Sequence, residues 1–213
     1  MKVKGLLFDL DGVLVSTEKN HFLAWKSTAN LLGIDFNEED NEHLKGVSRA
    51  DSLKKILLMG KKSISHEKFN ELLKYKNQFY LDSIQSISKD DLLPGVLELL
   101  QKADKIQVPL GVGSSSKNAT FILDKLQIKN YFKVVVDGNM VKNPKPAPEV
   151  FQNGASTMGI LPNECMVFED ALSGIEAAKS GGFIAVGVGN PSLTSHADMY
   201  FNNLNEFNLT EYV

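Results

Sequence analysis

Two aspartates two positions apart, Asp9 and Asp11, close the short apolar run Leu6-Leu7-Phe8, and Gly12 follows. In a strand, side chains at i and i+2 share a face, so both carboxylates are expected beyond the strand's carboxyl end. In an open parallel sheet that is where ligands bind. Carboxylates this close repel unless a proton or a cation separates them. A hard ion such as Mg2+, which takes carboxylates together with phosphate oxygens, suits the pair. Asp9, nearer the strand, reads as a nucleophile and Asp11 as a proton donor and acceptor. The plainer reading is a strand running into an Asp-Gly turn.

Other polar groups fall at the ends of later apolar runs. Ser114, with Ser115, Ser116, Lys117 and Asn118 after it, follows Leu110-Gly111-Val112-Gly113. Lys145 lies in Asn143-Pro144-Lys145-Pro146-Ala147-Pro148, and Glu169-Asp170 follow Met166-Val167-Phe168. Together they supply acidic ligands, hydroxyl and N–H donors, and a point cation. Phosphoryl transfer needs that inventory, because its catalysis is mostly positioning and charge neutralisation. Taken singly, the serines read as a helix cap, the lysine as a solvated loop charge, and Glu169-Asp170 as the acidic first turn of a helix. Their shared placement at strand ends points to one site.

The elements that must hold these groups follow from periodicity. A first strand is expected over residues 3–8. From 16 to about 88 the pattern is helical throughout: Phe22, Trp25, Ala29 and Leu32 step by three and four up to Gly33, a C-terminal cap. Asn37 precedes Glu38, Glu39 and Asp40, a short helix with an acidic start. Ser48 and Asp51 have capping-box spacing and open a helix that Gly60 ends. Ser65 caps a long helix through Phe69, Leu72, Leu73, Phe79 and Tyr80. From Pro94-Gly95 helices (96–105, 119–126, 148–158, 173–180) alternate with strands (106–112, 134–136, 166–168, 183–188, 199–201). That alternation argues for an α/β, doubly wound, Rossmann-like parallel sheet. The expected division is a core of residues 1–15 and 93–213 with an inserted α-helical cap, 16–92, on paired hinge linkers.

Size and charge narrow the classes. The 213 residues are 43% hydrophobic and 23% charged, enough for a substantial core. A net charge of −3 gives no electrostatic case for nucleic acid or a membrane surface. One cysteine, Cys165, fits a reducing interior. No leader is evident, and no run approaches the roughly 18–20 apolar residues of a membrane helix. A cytoplasmic monomer acting on small molecules is expected. Cys165, Trp25 and the histidines other than His21 read as structural or solvent-facing.

Asp9-Leu10-Asp11-Gly12-Val13, the strand ending at Ser114, Lys145-Pro146-Ala147-Pro148 and Phe168-Glu169-Asp170 resemble the four motifs of the haloacid dehalogenase-like phosphotransferases. The helical insert resembles their small cap. His21-Phe22-Leu23-Ala24-Trp25-Lys26, Leu44-Lys45-Gly46-Val47-Ser48-Arg49, Asp51-Ser52-Leu53, Lys76-Asn77 and Ser116-Lys117-Asn118 are similar to the family's sugar-phosphate mutases. The resemblance implies an aspartyl phosphate on Asp9 and acid–base work by Asp11. It implies Mg2+ held by Asp9, the Asp11 carbonyl, Glu169 and Asp170. Ser114, the Ser115 backbone and Lys145 would hold the transferring phosphate, and Arg49, Ser116, Lys117 and Asn118 a second one. Lys45, Gly46, Val47 and Ser52 would line the sugar side. Thr17, His21 and Lys76 would support Asp11 on cap closure.

The residues themselves add partial support. Lys76 lies on its helix's apolar stripe, so it must snorkel out or find a partner. His21 lies four residues before Trp25 and could be structural or catalytic. Arg49, at a helix start beside a glycine loop, suits phosphate capture. Three positions depart from the family pattern: Ser16 for an aspartate, Ala171 for a serine and Ser115 for an alanine. The activity so implied is interconversion of β-glucose 1-phosphate and glucose 6-phosphate through β-glucose 1,6-bisphosphate. The alternatives are a Mg2+-dependent sugar-phosphate phosphatase and a non-enzymatic sugar-phosphate sensor.

Overall fold

The computed structural model describes residues 2–213. It divides into two compact units. One runs to Ser16 and resumes over Ile87–Val213; the other is Thr17–Ser86. Ser16 and residues 87–92 thus belong with the sheet unit rather than with the helices.

In chain order the elements are β1 (Gly5–Phe8), α1 (Glu18–Asn30), α2 (Glu38–Glu42), α3 (Arg49–Met59), α4 (His66–Ser83), α5 (Val96–Lys105), β2 (Leu110–Gly113), α6 (Ala119–Lys125), β3 (Val134–Val136), α7 (Glu149–Met158), β4 (Cys165–Glu169), α8 (Leu172–Ser180), β5 (Ile184–Val188) and β6 (Met199–Phe201). The six strands form one parallel sheet in the order β3-β2-β1-β4-β5-β6. The order reverses around β1, between β2 and β4, which makes that edge of the sheet a topological switch point. Phe8 sits beside Val112 on one side and Phe168 on the other, and Gly113 beside Val136.

Alternation along these strands builds two cores. Leu7, Val167 and Ala185 pack with Val150, Phe151 and Ala155 of α7 and with Ile175, Ala177 and Ala178 of α8. Phe8 and Phe168 stack at 4.9 Å on the opposite face, with Phe207 edge-on to Phe168. The Phe8 and Phe168 rings are fully buried, which stabilises the fold by roughly 2–3 kcal/mol each in transfer terms. The chain leaves the sheet unit after a Val15–Leu92 antiparallel bridge, reinforced by the Leu93 N–H donating to the Leu14 carbonyl.

The helical unit closes on Trp25, Ala29, Ile34, Phe36, Leu44, Leu53, Ile56, Leu57 and Leu72. Its helix starts follow the sequence signals. Asn37, Ser48 and Ser65 side chains accept from the backbone N–H of Asp40, Asp51 and Lys68, each worth about 1 kcal/mol. Asn37 and Asp40 make a full capping box. At Ser48 the hydroxyl instead bonds the Asp51 carboxylate. Gly33 takes φ +65°, and the Ile34 N–H reaches back to the Ala29 carbonyl, closing α1 as expected.

Two expected starts are corrected. β1 begins at Gly5, not residue 3. β2 begins at Leu110, because Ile106 ends α5 and Gln107 takes φ +58°. Among the described residues no helix is long and apolar enough to cross a membrane.

Candidate active site

In the sheet unit the polar groups gather where the register brings the ends of β1 and β4 together. Lys145 Nζ lies 2.5 Å from Asp9 Oδ1 and 2.5 Å from Glu169 Oε1, and its side chain is fully buried. Burial works against that charge, but the Asp9 and Glu169 carboxylates overcome it and hold the ammonium above its ordinary range. Burial pushes the Glu169 carboxyl up to about 7, with Lys145 pulling it back and Asp9 adding to the rise. Asp9, Glu169 and Asp170 are all buried, and each offers an oxygen within 4.8 Å of the others. Three carboxylates against one ammonium leave two net negative charges when all are ionised. A divalent cation fits that donor set and that charge.

Two glycines make the cluster possible. Gly12 has φ +86°, and a Cβ there would lie 2.1 Å from Asp170 Oδ2. A Cβ on Gly174, inside α8, would lie 1.9 Å from the Glu169 carboxyl. Lys145 stands over the Phe151 ring at 4.7 Å, and its peptide to Pro146 is cis. The Ala171 N–H donates to Glu169 Oε2 at 3.3 Å, so the backbone steadies this carboxylate. Asn190 Nδ2 donates to the Asp170 carbonyl.

The same-face argument for Asp9 and Asp11 does not hold. β1 ends at Phe8, and residues 11–15 form a tight turn in which the Leu14 and Val15 N–H groups donate to the Leu10 carbonyl. The Asp11 carboxyl is half-buried and lies outside the three-carboxylate cluster. Glu169 and Asp170 are not a helix's first turn, because α8 starts only at Leu172. Ser114 is buried at the end of β2, and its hydroxyl accepts from the Ser116 N–H, as the Ser116 hydroxyl does from the Asn118 N–H. These two hydroxyls close successive turns in the loop before α6 rather than capping that helix, while Lys117 is exposed and Ser115 half-buried.

The helical unit holds the remaining candidates. Lys76 is buried, and its Nζ lies 2.8 Å from His21 Nδ1. An ammonium can only donate, so Nδ1 accepts and the ring proton sits on Nε2. Burial, then the charges of Lys76 and Arg49, depress His21 well below 6.5, which keeps the imidazole neutral near pH 7. Lys45 is tied to Glu18 at 2.9 Å and to Glu42 at 3.0 Å. Burial alone would lower it, but these two carboxylates raise it. Gly46 takes φ +69°, turning the Lys45–Ser48 loop; Val47 is half-buried, and Ser52 and Thr17 are buried. Arg49, lowered by burial, opens onto a hollow of about 600 Å3 shared with Asn70, Leu73, Lys74, Asn77 and Gln78.

Sequence reasoning named Gly12 but not its approach to Asp170, and missed Gly174, Asn190 and the Asn70, Lys74 and Gln78 side of the Arg49 hollow. Gly174 carried a readable signal, since a glycine inside a helix costs roughly 0.5–1 kcal/mol and so marks a close approach.

A buried lysine thus bridges two strand-end carboxylates, with a third alongside, at the switch point of a parallel α/β sheet. The model of the haloacid dehalogenase-like hydrolase family matches residues 6–188, and the chain belongs to that family. It is 38% identical to a β-phosphoglucomutase of Bacillus subtilis, over 97% of this chain and 92% of that protein. It is 32% identical to a phosphorylated carbohydrates phosphatase of Thermotoga maritima, over 84% and 82%. The crystal structure of a β-phosphoglucomutase from Clostridium difficile superposes with a TM-score of 0.94 at 36% identity, covering 98% of this chain and 95% of that one.

Proposed function

We propose that this chain interconverts β-glucose 1-phosphate and glucose 6-phosphate through enzyme-bound β-glucose 1,6-bisphosphate. The observation that carries the reading is the likeness to two β-phosphoglucomutases over nearly the whole chain, helical unit included. In this reading Asp9 carries the phosphoryl group as an aspartyl phosphate. Asp11 removes the proton from the C6 hydroxyl of β-glucose 1-phosphate as that oxygen attacks phosphorus and the Asp9–phosphorus bond breaks. The bisphosphate then turns over. Asp9 attacks the C1 phosphate, Asp11 returns its proton to the departing C1 oxygen, and glucose 6-phosphate leaves.

Asp9, the Asp11 carbonyl, Glu169 and Asp170 would hold Mg2+, which supplies charge neutralisation at the transferring phosphate. Lys145, Ser114 and the Ser115 backbone hold that phosphate. Arg49, Ser116, Lys117 and Asn118 hold the other one, and Lys45, Gly46, Val47 and Ser52 line the sugar. Thr17, His21 and Lys76 assist Asp11, the neutral His21 offering its Nε2–H to an oxygen acceptor.

The phosphatase reading is favoured by the Thermotoga relative and needs only Asp9, Asp11, Lys145 and the metal. The two are separated by supplying β-glucose 1-phosphate, a trace of β-glucose 1,6-bisphosphate and Mg2+, and scoring glucose 6-phosphate and inorganic phosphate together. Glucose 6-phosphate is the expected main product. Inorganic phosphate as the main product rejects the mutase reading.

A further inference from the structure

His21 and Trp25 are four residues apart on α1, and Lys76 and Tyr80 four apart on α4. At that spacing two side chains share a helix face, so each helix contributes one nitrogen base and one ring. The four meet. Lys76 Nζ lies 4.9 Å from the centre of the Trp25 ring and 4.8 Å from that of Tyr80. It also lies 2.8 Å from His21 Nδ1. The His21 imidazole in turn lies on Tyr80, ring centres 4.2 Å apart and planes tilted by 39°. Lys76 is only 3% exposed, so its ammonium has not snorkelled to solvent.

A desolvated ammonium needs compensation, and the faces of tryptophan and tyrosine provide it through their ring quadrupoles. Two faces fix a point charge in direction as well as in energy. Nδ1 of His21, 2.8 Å away, is a hydrogen-bond acceptor for the charge so placed.

We propose that Trp25 and Tyr80 are positioning residues, a two-ring cage that holds the Lys76 ammonium against His21 Nδ1 so that the neutral imidazole presents Nε2–H. Trp25, which reads as a plain core residue in the sequence, thereby sets the tautomer of a histidine one turn away. The proposal rests on the mutase reading only for what His21 does next; the cage can be measured without it.

The single tryptophan of the chain makes a graded test possible. Biosynthetic replacement of Trp25 by mono-, di-, tri- and tetrafluorotryptophan drains the ring face of charge with little change of shape. A residue that only fills space leaves activity level across this series. The cage predicts that log kcat falls steadily with fluorine number, by about tenfold at the last member, with KM for the sugar phosphate within about twofold. Tyr80→Leu falls similarly, and Tyr80→Phe recovers most of that loss because it keeps the ring.

A second readout addresses the geometry. One lysine Hε resonance, assigned by its loss in Lys76→Met, is expected far upfield from the two ring currents and to move back in Tyr80→Leu. A level activity series, or no ring-shifted lysine, overturns the proposal. If the wild-type protein releases only inorganic phosphate, the mutase reading fails. The fluorine series is then read on phosphate release, and the cage stands or falls on that slope and on the lysine shift.

Discussion

At the scale of single residues, the decisive fact is that one ammonium serves two carboxylates. Lys145→Met leaves Asp9 and Glu169 buried against each other, and breaking a buried pair in this way costs about 3–5 kcal/mol. The loss is expected in urea titrations of the metal-free protein, and added Mg2+ is expected to restore part of it. An unchanged urea midpoint contradicts this account. His21 carries a separate prediction. Its folded-state pKa lies below the 6.5 of a free imidazole, chiefly through burial and then Lys76 and Arg49. The unfolded chain therefore binds a proton near 6.5 that the folded chain refuses. The stability contribution is complete above about pH 6.5 and is lost as pH falls below it towards the folded value. His21→Gln removes up to about 1.4 kcal/mol per pH unit of that slope between pH 7 and 5. Urea midpoints at several pH values check it, and identical slopes for both proteins refute it.

Among the elements, α8 shows how packing fixes chemistry. It approaches β4 closely enough that Gly174 has room only for hydrogen beside the Glu169 carboxyl. Gly174→Ala should strengthen the isolated helix by up to about 1 kcal/mol and yet displace Glu169. A fall in Mg2+ affinity of at least about tenfold is expected by calorimetry, because one of three carboxylates is turned away. Retention of wild-type affinity would exclude Glu169 as a ligand. This is also where the sequence ran out. The cap residues Asn37, Ser48 and Ser65 were legible because capping is decided within three residues. The strand ends at Ser114 and Glu169 were legible from apolar runs stopping at polar groups. The start of β2 was not, because Ile106, Val108 and Leu110 continue one apolar pattern through a helix end and a turn at Gln107. The Asp11 turn escaped because an extended two-residue period and a tight turn give the same Asp-Leu-Asp spacing. The partners of Gly12, Gly174 and Asn190 are set by tertiary approach, which no local window contains.

Across the whole molecule, the acidic centre and the Arg49 hollow belong to separate compact units. The proposed function assigns phosphorus chemistry to one and substrate recognition to the other. Arg49→Ala therefore should lower kcat/KM for β-glucose 1-phosphate by about 10²–10³-fold, the loss of a charge-assisted phosphate contact. Turnover of acetyl phosphate, which has no second phosphate, should stay within about threefold. A parallel loss on both substrates would argue against the division of labour. The neck between the units has a consequence of its own. Val15 and Leu92 zip the outgoing and returning chain together before either leaves the sheet unit. What is spliced in above that zip then adds only a loop-closure entropy that grows with the logarithm of its length. The neck is a socket: helical inserts of other sizes and sequences can be grafted onto it while the sheet beneath folds as before.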